Sequence, residues 1–186
     1  MIREHRSHIE EYEVNPYTML VLPVPYGSKI YSQVIEYEDE FLSPYKPIDI
    51  IKKSCQYFGS SYEGRKDGTR QLTGITHKVP IIIDPNSFIY FLPTTSPTNP
   101  QCIWISHGHV LDHRRIDTHT SEVLFRNKKS FTLPISYHSL ENQLLRTALL
   151  RTRLTQRMEE TEKKASYMFR GQRHLEYPPG NYPNPY

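Results

Sequence analysis

Residues 140–164 contain neither glycine nor proline. That uninterrupted run limits the folds open to this chain more than any other feature. As a helix it extends about 37 Å, too long to be a turn between strands, and Ser136 or Ser139 is placed to cap it. At 100° per residue Leu140, Leu144, Ala148, Leu154 and Met158 share one stripe, the face expected to pack. Arg151 falls in the same stripe and is expected to pair internally. The chain before residue 134 reads differently. Short β-rich segments alternate with turn residues: 17–24, stopped by Pro23 and Pro25; 29–37; 72–78; 79–83; 88–92; 103–111; and 122–125 with 130–133. Asp84-Pro85-Asn86 marks a turn and 93–100 a loop. Pro47 opens one short helix over 48–58, with Ile48, Ile51, Cys55 and Phe58 at helical spacing. The expected class is therefore α+β: antiparallel strands, one short helix, one long helix in the C-terminal half and a disordered C-terminal tail. Residues 1–13 are expected to fray, 14–166 to form the domain and 167–186 to be a flexible tail.

Several function classes drop out. No stretch of about eighteen apolar residues exists to span a membrane, and residues 1–13 carry charges with no apolar run behind them, unlike a secretory signal. A cytoplasmic protein is expected, with Cys55 and Cys102 as reduced thiols. The net charge of +3 hides an asymmetry. Residues 1–51 hold four basic and nine acidic side chains, or −5, and the remaining 19 basic and 11 acidic side chains give +8. Such a balance suits a polyanionic partner.

Three clusters are candidates for chemistry. On the long helix Arg146, Arg153 and Arg157 fall in a narrow arc nearly opposite the apolar stripe, with Asn142 at its edge. Three guanidiniums on one face make a phosphate-contacting ridge. The second cluster begins at Lys52-Lys53 and continues through a Gly- and Ser-rich stretch to Arg65, Lys66 and Arg70. Read as a mobile basic arm, it is able to enter a minor groove, where arginine senses width and A·T content. It lacks both glycine-rich nucleotide signatures. The third is Cys102, His107, His109 and His113, which have ligand chemistry for zinc. His107 and His109 alternate on the expected strand beside Ile105, no second Cys is near, and packing explains the set better than a metal. No metal, cofactor or catalytic group is expected, and Cys102 has no orienting partner for a nucleophile.

Four segments in order, SCQYFGSSYEGRKDGT (54–69), ITHKVPIIIDP (75–85), PQCIWISHGHV (100–110) and LPISYHSLENQLLRTALLRTRL (133–154), resemble the competence transcription factor (ComK) family of bacillus-type bacteria. The resemblance covers roughly residues 11–154. It implies a nucleoid-associated activator of DNA-uptake genes that binds A/T-rich boxes through the minor groove as a dimer or higher assembly. It also implies an adaptor protein that delivers the chain to a protease through a C-terminal Phe-Met-Leu-type motif, whose nearest counterpart here is Tyr167-Met168-Phe169. Within that frame Arg65, Lys66 and Arg70 are the expected groove-entering residues, and Arg146, Arg153 and Arg157 the backbone-contacting ones. A regulator that binds proteins and not DNA is the alternative, served by the acidic first 51 residues and the Pro/Tyr-rich tail.

Overall fold

In the computed structural model the described residues are 7–173, with side chains through Phe169. Ten strands and three α-helices follow one another as β1 (Ser7–His8), β2 (Thr18–Tyr26), β3 (Lys29–Glu36), β4 (Glu40–Ser43), α1 (Pro47–Tyr57), α2 (Tyr62–Thr73), β5 (Ile81–Asp84), β6 (Ile89–Pro93), β7 (Trp104–Ser106), β8 (Val110–Arg115), β9 (Ser121–Phe125), β10 (Ser130–Leu133) and α3 (Tyr137–Arg173). A seven-stranded sheet runs β1-β4-β3-β2-β7-β6-β5 and a three-stranded sheet β10-β9-β8. All pairings are antiparallel except β1 with β4. The class is α+β, as the patterning predicts.

In the larger sheet β5, β6, β7 and the first half of β2 are buried on both faces because both faces are covered. Val21, Val34, Ile81, Ile83, Phe91 and Trp104 face α1 and α2, meeting Ile50, Ile51, Cys55 and Tyr62. Leu20, Ile35, Leu92 and Ile105 point the other way and pack with Val123, Phe125 and Leu133 of the small sheet and Leu140 of α3. Met19 joins Leu20 on that second face because the β2–β3 register shifts between Thr18 and Leu20, which breaks the alternation of a regular strand.

Four local expectations need correction. The stretch after Gly59 is a helix and not a mobile arm. Ser61 caps α2, its hydroxyl accepting from the Gly64 N–H at 3.0 Å, and Gly74 ends it with φ of 76°. Two interior glycines weaken a helix, but buried Tyr62, Thr69 and Leu72 tie this one to the sheet. Residues 72–78 are accordingly the end of α2 and a loop, not a strand. Second, Pro23 and Pro25 do not stop β2, which pairs with β3 as far as Tyr26. On its other side β2 meets β7 only at Leu20 and Val21, so both prolines lie on a free edge where no N–H is required. Third, His107–His109 is a single 3-10 turn and not strand, leaving β7 to end at Ser106.

The fourth concerns the ends. Residues 7–13 are held by β1 against β4, by buried Tyr12, and by the Tyr12 hydroxyl, which bonds Thr18 and Glu36; residues 1–6 lie outside the described residues. At the other end α3 continues to Arg173, so 167–173 is helix; the expected tail beyond it lies outside the described residues. By contact density the chain divides into two compact units, Met1–Arg151 and Thr152–Tyr186. In the first unit α3 buries Leu140, Gln143, Thr147 and Leu150. That stripe is rotated from the expected one toward Gln143, whose amide donates to the carbonyls of Lys78 (3.0 Å) and Pro93 (2.8 Å). A satisfied glutamine is as buriable as a leucine, and hydrophobic spacing alone does not register it.

Candidate nucleic-acid interface

The basic residues of the second cluster occupy two helices that meet at Tyr62. Lys52 projects from α1 and Lys66 from α2, and their ammonium groups lie 6.0 and 5.8 Å from the centroid of the same Tyr62 ring. The ring floors a cleft of about 530 Å³, to whose lining Lys46 at the start of α1 and Lys78 in the loop before β5 also contribute. Lys78 has φ of 47°, a left-handed conformation uncommon for a residue with a β-carbon. Gln143 of α3 grips its carbonyl. Arg146 reaches the same loop, its guanidinium donating to the His77 carbonyl at 3.2 Å and to Gln143 Oε1 at 3.4 Å. Four lysines thus border one concavity, against the carboxylates of Asp49 and Glu63. The excess positive charge, with Ser96, Thr98 and Asn99 in the same lining, suits a phosphate-bearing ligand.

The remaining cationic candidates are more occupied. Lys53 forms an ion pair with Glu11 at 3.6 Å and lies 3.8 Å from the Tyr45 ring centroid; contact with Tyr45 foremost, and Glu11 less, raises its pKa. Arg65 is half-buried and donates to the Ile83 carbonyl at 3.4 Å. Arg70 pairs with Asp67 at 3.0 Å, as Lys66 does with Glu63 at 2.9 Å, both at i,i+3 spacing on α2. Exposed pairs of this kind contribute little to stability and release their cations readily to a stronger anion. Asn142 is exposed on α3. Arg153 and Arg157 are exposed on the portion of α3 in the second unit, with Tyr167, Met168 and Phe169 further along it. Within the first unit Arg146 sits beside the buried stripe of α3 and not opposite it. Arg151 is exposed, its guanidinium 5.3 Å from the Phe88 ring centroid.

Lys46 and Lys78 are absent from the expected set. Each stands alone in the sequence, beside Pro47 and Val79, and only the fold brings them to Lys52 and Lys66. Also absent is the β9–β10 turn, where exposed Arg126, Lys128 and Lys129 cluster. Three cations in a hairpin turn were visible as a charge run, but nothing in the run shows what surrounds it.

The cysteine and histidines do not converge. Cys102 is buried against the helices, and burial pushes its thiol pKa up. His107 lies against the Leu144 backbone, His109 bonds the Pro16 carbonyl at 2.7 Å, and His113 stacks on Tyr137 with ring centroids 5.0 Å apart. Among the described residues no group of three His, Cys, Asp or Glu is placed to hold a metal ion. Nor is any described helix long and apolar enough to cross a membrane.

The sequence model of the ComK protein family matches residues 9–159. The chain belongs to the ComK family. It is 47% identical over 164 residues to the competence transcription factor of Bacillus subtilis (strain 168), a match covering 88% of this chain and 85% of that protein. No solved structure matches it. The ComK match takes in both helices of the cleft, the Gln143 and Arg146 anchors, and Arg153 and Arg157.

Proposed function

We propose that this protein is a DNA-binding transcription activator of the competence, or DNA-uptake, programme that acts in the cytoplasm on A/T-rich boxes through the minor groove. Kinship with the Bacillus subtilis competence transcription factor supports the regulatory role. The observation that carries DNA binding is the convergence of Lys52 and Lys66, from two helices, over Tyr62. In this reading Lys46, Lys52, Lys66 and Lys78 hold phosphates along one strand. Lys53, Arg65 and Arg70 border them and exchange their intramolecular partners for DNA. Asn142 and Arg146, with Arg153 and Arg157 further along α3, contact the backbone. The protein needs no metal, cofactor or catalytic group for this.

Self-association as a dimer or higher assembly belongs to the same proposal. Leu145 and Leu149, 65% and 40% exposed at i,i+4 spacing on α3, offer an apolar strip for a second copy. Tyr167, Met168 and Phe169 are also exposed on a helix, which suits capture by an adaptor that feeds a protease. These apolar strips favour the second reading too, a regulator that works through protein contacts alone.

A gel shift with A/T-rich and G/C-rich duplexes at one stated salt concentration separates the two readings. Tighter binding of the A/T-rich duplex is expected. Replacing both Lys52 and Lys66 by Ala should weaken binding to both duplexes by similar factors, since phosphate contacts position a protein without reading sequence. Binding of neither duplex by the parent protein leaves the protein-contact reading standing.

A further inference from the structure

The turn between β5 and β6 presents an aromatic ring in an unfavourable way. Phe88 is 55% exposed and has φ of 55°, so a bulky apolar side chain combines left-handed backbone with exposure to water. The turn is braced in this conformation. The Asp84 carboxylate accepts from the Asn86 and Ser87 N–H groups at 3.2 and 3.1 Å, and the Phe88 N–H donates to the Pro85 carbonyl at 3.3 Å. Sequence around this turn does not demand a phenylalanine, and Gly or Asn suits the backbone better.

The surroundings indicate what the ring is for. Phe88 borders a shallow pocket of about 320 Å³ together with Arg126, Arg151 and His109, and no carboxylate lines it. The Arg151 guanidinium lies 5.3 Å from the ring centroid. Arg126 is aimed by its Nε, which donates to the Gly108 carbonyl at 2.7 Å, and its own N–H donates to the His109 carbonyl at 2.9 Å. Lys128 and Lys129 stand exposed in the same β9–β10 turn, which Asn127 pins through a 2.7 Å bond to the Tyr37 carbonyl. An exposed aromatic ring on a braced turn, with one guanidinium against it and a second lining the same pocket, has the chemistry of a minor-groove wedge. Arginines seek the negative potential of a narrow groove, and an apolar side chain opens a base step and kinks the duplex. A/T-rich sequences that contain flexible TA steps yield most readily.

We propose that Phe88 inserts at a base step of the bound DNA, with Arg126 and Arg151 held in the minor groove on either side of it. The inference rests on the DNA-binding reading above and adds the residue that deforms the duplex.

The test uses the full chain and A/T-rich duplexes in which 2-aminopurine replaces adenine at each position of the box in turn. Binding by the parent protein should raise the fluorescence at one step, as that base unstacks. Phe88→Gly should abolish the rise and weaken binding on the order of ten-fold, the loss expected for one aromatic–base stack. Phe88→Leu, which keeps an apolar wedge, should retain part of the rise. Because glycine suits the backbone, free Phe88→Gly should melt no lower than the parent. Parent-like fluorescence and affinity in Phe88→Gly overturn the wedge alone, as does intact DNA binding accompanied by lost self-association. Failure of the parent protein to bind the duplex overturns the DNA reading and the wedge together.

Discussion

His107 is half-buried beside the Leu144 backbone of α3. Burial above all, and then the positive charge of Arg151, lowers its pKa below the ordinary 6.5. The folded protein resists charging this imidazole, whereas the unfolded chain does not. Below about pH 6.5 the unfolded state therefore binds more protons and stability falls with pH, until the folded-state group also titrates. His107→Gln keeps a polar side chain of similar length there and removes the titration. Its melting temperature should fall less between pH 7.5 and pH 5.5 than that of the parent, and equal falls in a paired thermal melt would exclude His107 as the source. The same residue shows a limit of legibility. The spacing of Cys102, His107 and His109 was plain in the sequence, but Cys102 packs in the cluster that faces α1 and α2 and β7 runs between it and the turn that carries both histidines, a tertiary outcome that periodicity does not carry.

At the scale of elements the long helix and most strands are legible because their signals are local: unbroken helical spacing for α3, and short β-rich runs bounded by turn residues for β3, β6, β9 and β10. The helix α2 is the instructive failure. Gly64 and Gly68 argue for a loop by propensity, and the basic residues between and beyond them argue for a solvated arm. Three buried side chains and two well-made ends outweigh both. The cap is worth about 1 kcal/mol, comparable to what one interior glycine costs relative to alanine. A substitution can measure this balance directly. A β-carbon at Gly68 meets nothing within 4 Å, so Gly68→Ala should stabilise the protein by about 0.5–1 kcal/mol in urea unfolding. At Gly64 the new carbon would stand 3.0 Å from the Ser61 Oγ that caps the helix, so Gly64→Ala should gain less or lose. Equal, negligible effects at the two positions would mean that residues 62–73 are not a stable helix in solution.

Over the whole molecule, the charge asymmetry seen in the sequence becomes a division of labour. Among the first 51 residues several carboxylates are spoken for: Glu36 by Tyr12 and Asn15, Glu40 by Gln33, Glu11 by Lys53. Beyond them, Lys52, Lys66 and Lys78 join Lys46 in one cleft, and Arg126, Lys128 and Lys129 crowd one turn. Sequence revealed the excess of positive charge but not its grouping, because Lys46 and Lys78 are remote from each other along the chain. If the four cleft lysines each displace condensed counterions, they alone contribute about −3 to −4 per protomer to the slope of log affinity against log salt, and the backbone-contacting arginines steepen it further. The slope should be the same for A/T-rich and G/C-rich duplexes, giving parallel lines offset by the sequence preference, because counterion release does not depend on the bases. Lys52→Ala should reduce the slope by about one. Lys66→Ala should reduce it by less, since Glu63 already neutralises part of that charge in the free protein. Titrations of both duplexes across a range of salt read all of this at once. A slope near zero for the parent would remove the cleft from the binding surface. Lines that converge instead of running parallel would show that the number of phosphate contacts changes with sequence, and the lysines would then take part in discrimination and not only in anchoring.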